Sequence, residues 1–411
     1  MILFLFRVSL SSNERKRETT YTNVTAMPRR VQRSLTQLIF FCAILFLILY
    51  LNRPTATTPT FAWTKIRYRT TASSLPKARG KCPNLSTTKK PALIVSHVAA
   101  DGDTAWLTSL EDRYHLCIYN VDGPEDKEHS SESEYQYLKV PANRGHEAMA
   151  YLTFLIDNYA EIPASGAVFV HGSRWAWHND APDYDNKALL AALDVERALS
   201  VSGYHNLRCD WSSSTCVPSA PAQGSLEMKL QSKIAPWSAR AASDVALPKA
   251  LAAIFGGEDG SMSASNRLAG RLHLGRTDAV RSQCCAQFVV SRERIWQHTK
   301  EEYIALRQWL LDGGGDREGK LPRSDQIAPQ DDRVAGRIVS YLWHILFAKL
   351  DAGGTVDLAQ LNRDACPSAK DCYCRLYGRC DLQCPNAGMC LGQYQKPKDF
   401  KLPDDWEATH P

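Results

Sequence analysis

The chain lacks internal repeats, and it lacks a surface pattern of interleaved basic and aromatic residues. The first absence argues against a solenoid or another repeat architecture, and the second argues against a nucleic-acid-binding protein. Neither positive nor negative charge is in large excess, since the 411 residues carry a formal net charge of +5. The composition is that of a globular protein with a sizeable core, and the length alone allows two or three domains.

Paired Cys-x-x-Cys motifs are absent as well, although the chain has 13 cysteines. Twelve of them follow Cys42, and six lie between Cys366 and Cys390. The spacing of these six favours three disulfides over a zinc site, with fifteen pairings open. Such cysteine density is typical of an oxidising lumen. A further disulfide is expected between Cys209 and Cys216, which bracket a short loop.

An apolar run covers Leu35–Leu51, which is at the short end of what spans a bilayer. Basic residues are concentrated before it, so we predict a cytoplasmic tail at 1–34, a transmembrane signal anchor at 35–51 and a type II topology. A short span favours the endoplasmic reticulum or the Golgi over the plasma membrane. A cleaved signal peptide is the alternative, and initiation at Met27 stays open.

The rest of the chain divides into three parts by composition. Residues 52–91 are rich in Thr, Pro, Ser and Lys, which predicts an extended stem with a candidate glycosylation site at Asn84. Residues 92–360 alternate strand-like and helix-like patterns, which predicts an α/β domain with a mainly parallel sheet flanked by helices. Residues 361–411 contain the clustered cysteines and are predicted to form a disulfide-rich appendix.

The α/β domain is centred on residues 143–180. Apolar residues recur from Ala148 to Tyr159 with the period of one helix face, which predicts an amphipathic helix. The run Ala167–Val170 then predicts a strand that is buried on both faces. Polar and aromatic residues follow this strand directly. Open α/β sheets bind ligands at the carboxyl ends of their central strands, so the sequence predicts a binding site here.

Six short motifs occur along residues 92–380: Asn143–Glu147, Tyr151–Leu152, Val168–Gly172, Trp177–Asp180, Cys284–Phe288 and Tyr341–His344. Together they resemble an uncharacterised family of fungal proteins with a domain of unknown function. That family implies no settled activity. The sequence is also distantly similar to glycosyltransferases of the GT-A type, many of which are type II membrane proteins of the Golgi.

The similarity to GT-A enzymes implies a role for several segments. Ala92–Val98 matches the first strand, which meets the nucleotide, and Asn143–Gly145 matches an Asn-x-Gly motif before a helix. These enzymes next have an Asp-x-Asp motif that binds a divalent metal, Mn or Mg, and the diphosphate of the sugar nucleotide. Here His171–Ser173 takes its place, and a histidine with a serine suits a hard cation less than two carboxylates.

Two functions are therefore open for this domain. It is a glycosyltransferase-like protein that acts on glycans with a nucleotide-sugar donor, or it is a non-catalytic glycan-binding or scaffold protein. Asp180 and Glu293 are the candidate catalytic groups, because transfer to an acceptor hydroxyl needs a base. The candidate substrate-binding residues are Asp103, Asn143, Arg144, Glu147, Trp177, His178 and Gln287. The candidate metal ligands are His171, Asp180 and His344, although a core role is the alternative for His344.

Overall fold

The computed structural model describes residues 29–51, 60–61, 65–70, 72, 74–123, 137–180, 183–255, 279–314, 327–350 and 356–393. The chain forms two compact units, Met1–Tyr50 and Leu51–Pro411. Most of the predicted cytoplasmic tail and the last part of the predicted appendix lie outside the described residues.

The first unit contains the helix α1, Arg29–Leu51. Within it, Val31–Tyr50 has 20 residues with a mean hydropathy of 1.9, which is long and apolar enough to cross a membrane. The helix begins before the predicted span because its basic flank is also helical. Within the described ranges it is the single helix of this kind, and it is compatible with the predicted single-span membrane protein.

The second unit is built on a six-stranded sheet. The strands of the described residues are β1 (Thr60–Phe61), β2 (Ala92–His97), β3 (His115–Asn120), β4 (Leu138–Lys139), β5 (Ala167–His171), β6 (Tyr204–Asn206), β7 (Phe288–Val290) and β8 (Val356–Asp357). The sheet order is β4-β3-β2-β5-β7-β6, while β1 pairs with β8. From β4 to β5 all neighbours are parallel, and β7 alone runs against its neighbours. The predicted mainly parallel sheet is confirmed.

Helices cover both faces of this sheet. They are α2 (Glu147–Asp157), α3 (Asn186–Ala192), α4 (Val195–Leu199), α5 (Leu226–Ile234), α6 (Ala239–Phe255), α7 (Arg292–Ile295), α8 (Lys300–Asp312), α9 (Asp332–Ser340), α10 (Trp343–Leu346), α11 (Leu358–Ala365) and α12 (Ala369–Tyr377). Alternate strand residues enter different cores. Ile94 and Phe169 pack with α2 on one face, whereas Val95 and Val170 pack with α3 and α12 on the other. The strand β5 is thus buried on both faces, as predicted.

The predicted helix after Asn143 is α2. It is buried all round, from Ala148 to Ile156, because it lies between the sheet and the helices α8 and α9. Tyr151 packs edge-on against Phe169 of β5, with 5.0 Å between ring centroids. This packing fixes the first turn of α2 beside the carboxyl end of β5.

The packed part of the second unit begins within the segment that we predicted to be a stem. Ile66 and Tyr68 are buried in the core that contains α2. Cys82 forms a disulfide with Cys117 of β3. A few isolated apolar residues and one cysteine produce no periodic pattern, so their tertiary contacts were not visible in the sequence.

The cysteine-rich segment is tied to the rest of the unit by two disulfides. Cys209 pairs with Cys372 and Cys216 pairs with Cys366, so the predicted closure of the 209–216 loop is wrong. Only Cys374–Cys380 and Cys384–Cys390 lie within the predicted appendix, which is two of the three internal bridges expected. Its helix α12 is part of the core because Tyr373 is buried there.

Candidate functional site

A cavity of about 350 Å³ lies at the carboxyl end of β5. This volume is within the range of small-molecule sites. The strand order reverses between β2 and β5, because the chain continues from β2 to β3 on one side, whereas β5 lies on the other side of β2, and His171 of β5 lines the cavity. Open α/β sheets bind ligands outside such a reversal. The cavity is therefore in the position that the sequence predicted.

One side of the cavity carries charge, and we call it the charged wall. It consists of His146 and Glu147 at the start of α2, with Arg333 and Arg337 on α9. The two elements touch through Gly336, where an added Cβ would lie 2.8 Å from the ring carbon Cδ2 of His146. The charged wall is therefore one packed unit that presents two guanidinium groups, one imidazole and one carboxylate.

The loop before α2 is fastened to α9 by Arg144. This side chain is buried and donates to the Pro329 and Gln330 carbonyls, at 2.8 Å for Gln330. It also forms an ion pair with Asp332, 3.0 Å away. The predicted substrate-binding residue Arg144 thus positions the charged wall from behind, while its neighbour Asn143 is exposed and does not line the cavity.

A second set of lining residues is uncharged, and we call it the neutral wall. It consists of residues 213–215 and 282–285. The two segments are held together because the Thr215 amide donates to the Ser282 carbonyl at 3.0 Å and the Ser282 amide donates to Thr215 Oγ1 at 2.8 Å. Cys284 and Cys285 of this wall form a disulfide with each other. The neutral wall therefore offers hydroxyl groups beside an apolar pair of sulfur atoms.

His171 at the end of β5 and His178 in the loop after it also line the cavity. The rings of His171 and His178 are 4.3 Å apart between centroids. His171 Nε2 is 2.8 Å from the carbonyl oxygen of Cys285. A carbonyl only accepts, so Nε2 carries the hydrogen and Nδ1 of the neutral ring is an acceptor. Trp177 packs edge-on against His178 at 5.5 Å and is 60% exposed at the cavity.

Gln287 holds this loop in place. Its side-chain oxygen accepts from the His171 amide at 3.3 Å and from Asn186 Nδ2 at 3.1 Å, while its Nε2 donates to Asn179 at 2.9 Å. The side chain is buried. The predicted substrate-binding residue Gln287 thus positions the two histidines and does not line the cavity.

The His171–Ser173 segment, which replaces Asp-x-Asp, lies close against the end of β2. The Gly172 amide donates to the Ser96 carbonyl at 2.7 Å, and a Cβ on Gly172 would lie 2.6 Å from Asp101 Oδ2. The space between the ends of β2 and β5 therefore does not admit a side chain at position 172. Asp103 of the β2 loop accepts from the Ala105 amide at 2.7 Å, as a turn residue does.

Asp180 lies outside the cavity lining, in a buried cluster under α12. It accepts a hydrogen bond from the Tyr373 hydroxyl at 2.8 Å and another from the Cys209 amide. Burial, with the nearby Asp210 carboxylate, raises the pKa of Asp180 to about 6. Asp180, which the sequence suggested as a base and a metal ligand, thus connects α12 to the segment after β6.

Glu293 is on the other edge of the sheet. Because β7 is antiparallel to β5, Val290 pairs with Ala167, so the chain after β7 leaves at the amino end of β5. The Glu293 side chain is 68% exposed there. The two predicted catalytic carboxylates are therefore not brought together, and neither lines the cavity.

His344 is a buried residue of α10 and does not line the cavity. Burial lowers the pKa of His344 to about 3. Within the described ranges, the group with three possible ligand atoms within 4.8 Å of one another is Cys82, His115 and Cys117. Both of these cysteines are disulfide-bonded. The predicted ligands His171, Asp180 and His344 form no such group.

The backbone is unusual at two points of the cavity. His146 has φ +53° and Cys285 has φ +99°. Non-glycine residues avoid such angles, and they concentrate where the surrounding structure has a functional use for them. One of the two lies on each wall, which supports a functional role for the cavity.

Residues 93–375 match the model of a family described as a protein of unknown function, DUF3431. The chain belongs to this family. No curated protein and no solved structure matches it. The DUF3431 match includes every strand of the main sheet except the first residue of β2, and it includes both walls of the cavity.

Sequence reasoning on this DUF3431 domain identified Glu147, His171, Trp177 and His178 as site residues, and all four line the cavity. It missed the other lining residues because they come from distant segments. These are His146, Ser213, Ser214, Thr215, Ala239, Ser282, Gln283, Cys284, Cys285, Arg333, Gly336, Arg337, Ser340 and Tyr341. The spacing of Arg333 and Arg337 at i and i+4 on the polar face of α9 is a signal that could have identified two of them.

Proposed function

We propose that the DUF3431 domain binds a nucleotide sugar in this cavity and transfers its glycosyl group to a glycan acceptor. One observation carries the proposal: the guanidinium groups of Arg333 and Arg337 line the cavity at the carboxyl end of β5, and Glu147 is the single carboxylate among the described lining residues. Cationic groups at this place in an α/β sheet suit the diphosphate of a nucleotide. The resemblance of the sequence to GT-A enzymes agrees with this assignment.

The arginines of the charged wall would neutralise the diphosphate. Arg333 and Arg337 lie one turn apart on α9 and both line the cavity. Arg337 donates to the Tyr341 hydroxyl at 3.1 Å, which orients its guanidinium group, and Arg333 is paired with Asp331 at 3.1 Å. Guanidinium groups bind phosphate oxygens through two parallel hydrogen bonds. A diphosphate would therefore bridge the two residues.

A divalent metal does not fit this set of donors. Among the described lining residues, Glu147 is the only carboxylate, and Mn²⁺ or Mg²⁺ binds mainly to oxygen ligands. Two guanidinium groups beside the same position also repel a dication. We therefore assign the neutralisation of the leaving diphosphate to Arg333 and Arg337 and derive no step through a metal.

Glu147 is the base in this proposal. It lies in the first turn of α2, on the charged wall, and would accept the proton of the acceptor hydroxyl as its oxygen bonds to the anomeric carbon. The bond from that carbon to the diphosphate breaks, and the diphosphate leaves towards the arginines. Glu147 takes the role that the sequence suggested for Asp180 and Glu293.

We place this activity in the lumen of the endoplasmic reticulum or the Golgi. The second unit contains six disulfides among its described residues, which need an oxidising compartment. The apolar part of α1 is long enough to anchor the chain in such a membrane.

Titration of the full-length protein in detergent tests the proposal. UDP-, GDP- and CMP-sugars are each added with and without manganese, and we expect at least one to bind without the metal. Arg333→Ala with Arg337→Ala should reduce that affinity at least tenfold. The exposed pair Arg363→Ala and Lys370→Ala removes the same charge away from the cavity and should leave it unchanged. Failure of every sugar nucleotide to bind under both conditions contradicts the proposal.

A second function, glycan binding without catalysis, is favoured by the placement of Asp180 and Glu293 outside the cavity. In that case glycans would bind and no sugar would be transferred or released from its nucleotide. Glu147→Gln separates the two functions. Transfer should be lost with binding retained if the domain is an enzyme, whereas a binding protein shows no turnover to lose.

A further inference from the structure

The two walls of the cavity differ in the chemistry that they offer to a ligand. The charged wall suits phosphate, as argued above. The neutral wall has hydroxyl groups, an amide and the Cys284–Cys285 disulfide, and it carries no charged side chain among its described residues. A single ligand that meets both walls has an anionic part and a neutral, polyhydroxylated part. The charged wall would thus recognise the anionic part of the ligand, and the neutral wall its polyhydroxylated part.

The Cys284–Cys285 disulfide holds an unusual turn at the start of β7. Its two residues are neighbours in sequence, and Cys285 and Ala286 both have positive φ, at +99° and +49°. In this turn the Cys285 carbonyl accepts the hydrogen bond from His171. The two sulfur atoms are weakly polar and polarisable, so they provide an apolar contact surface on the neutral wall.

Two hydroxyl groups belong to the same wall. Ser213 is half-buried and Ser282 is buried, and both line the cavity. Neither side-chain hydroxyl has a hydrogen-bond partner within the part of the chain that the structure describes. By contrast, the Thr215 hydroxyl is used within the wall, where it accepts from the Ser282 amide at 2.8 Å. Ser213 and Ser282 are thus open to a ligand.

Carbohydrate rings combine an apolar face of C–H groups with a rim of hydroxyls, and protein sites match them with an apolar surface and a few hydrogen-bonding groups. We infer that the neutral wall is a carbohydrate subsite, in which the Cys284–Cys285 disulfide packs against the face of a hexose ring while Ser213 and Ser282 bond to its hydroxyls. The inference deepens the proposed function and rests on it for the position of the phosphate. The hexose comes from the donor or from the acceptor glycan.

The test compares nucleotide sugars with nucleoside diphosphates on the full-length protein in detergent. UDP-glucose against UDP and GDP-mannose against GDP give the gain in affinity from the sugar. We expect Cys284→Ala with Cys285→Ala to reduce that gain about tenfold while the nucleoside diphosphate binds as before. Removal of the Cys374–Cys380 bridge by the same substitutions is the matched control, because it lies outside the cavity lining.

Ser213→Ala with Ser282→Ala is a second variant, in case loss of the disulfide prevents folding. It keeps the turn and should reduce the sugar-dependent gain about fivefold. A gain that survives both pairs of substitutions overturns the subsite if the binding of methyl glycosides survives them too, even where the nucleoside diphosphates bind as the proposed function requires. A further arm titrates methyl glycosides of glucose, galactose and mannose. If no nucleotide binds but a glycoside does, and the serine variant abolishes that binding, the subsite stands and the donor assignment fails. If no nucleotide sugar and no glycoside binds, both fail.

Discussion

The loop from His171 to Asp180 has two ends with different surroundings. At the open end, His171 and His178 line the cavity. At the sealed end, Asp180 is buried under α12 and accepts hydrogen bonds from Tyr373 and Cys209. The polar residues after a central strand thus have two different roles. Some face the ligand space, and others form the buried network that fixes them.

The sealed end should be the more important one for stability. Asp180→Ala leaves the Tyr373 hydroxyl and the Cys209 amide buried without their acceptor, which should lower the free energy of unfolding by about 3 kcal/mol. His171→Ala removes one hydrogen bond beside the cavity, where water can replace it, and should cost about 1 kcal/mol. Urea unfolding of the detergent-solubilised protein, followed by tryptophan fluorescence, measures both. If the two substitutions lower the free energy of unfolding equally, the proposed difference between the buried Asp180 and the accessible His171 is wrong.

A change of pH provides a second contrast between sealed and open groups. His344 is buried, and its folded pKa of about 3 lies below its ordinary value of 6.5. The unfolded chain therefore binds the proton more readily, so stability falls as the pH drops from 6.5 towards 3. Between pH 7 and pH 4 this amounts to about 3 kcal/mol. His344→Gln cannot take up this proton.

The pH prediction is checked by unfolding the protein and the His344→Gln variant at both pH values. The variant should lose less stability on acidification, by about 3 kcal/mol. His146→Gln is the matched control, because it makes the same substitution at a side chain that is 51% exposed. Parallel pH profiles for the protein and His344→Gln would contradict a neutral, sealed histidine at this position.

The sequence was sufficient for the helix α2, the strand β5 and the parallel sheet, because period and burial are local properties that residues such as Ala148 and Val170 reveal. It also placed a site after β5. It could not separate the sealed from the open residues, since Asp180 and His178 have the same polar character two residues apart. Only the position of α12, which is fixed by the Cys209–Cys372 bridge, decides which of them is covered.

The sequence alone could not predict which distant segments of the chain lie next to each other. Glu293 was a candidate base for the site, but the direction of β7 places it at the opposite edge of the sheet. The stem residues Ile66 and Tyr68 were likewise assigned to a linker, although they pack in the core. Each of these errors concerns the spatial neighbours of a residue, which come from distant segments of the chain.

The charged wall should be sensitive to volume at the contact between α9 and α2. Gly336→Ala places a methyl group 2.8 Å from His146 Cδ2 and 3.0 Å from the Gly145 carbonyl oxygen. One of them must shift, so we expect a loss of about 1 kcal/mol in stability and a several-fold loss of affinity for UDP or GDP. Calorimetric titration measures the affinity. His146→Ala with Gly336→Ala should recover part of the stability, because it removes one of the two contacts. No coupling between the two substitutions would contradict the packing of this wall.

The smallest effect on stability is expected at the mouth of the cavity. Trp177 is 60% exposed, so Trp177→Ala should change the free energy of unfolding by less than about 0.5 kcal/mol. If the contact of the ring with a ligand is as strong as a contact between two aromatic rings, about 0.5–1.5 kcal/mol, its loss corresponds to roughly a two- to twelvefold loss of affinity for a nucleotide sugar. Trp237→Ala is the matched control, because Trp237 is 74% exposed and does not line the cavity. If both variants bind equally well, the open end of the loop does not extend to Trp177, and ligand contact is confined to the two histidines and the walls.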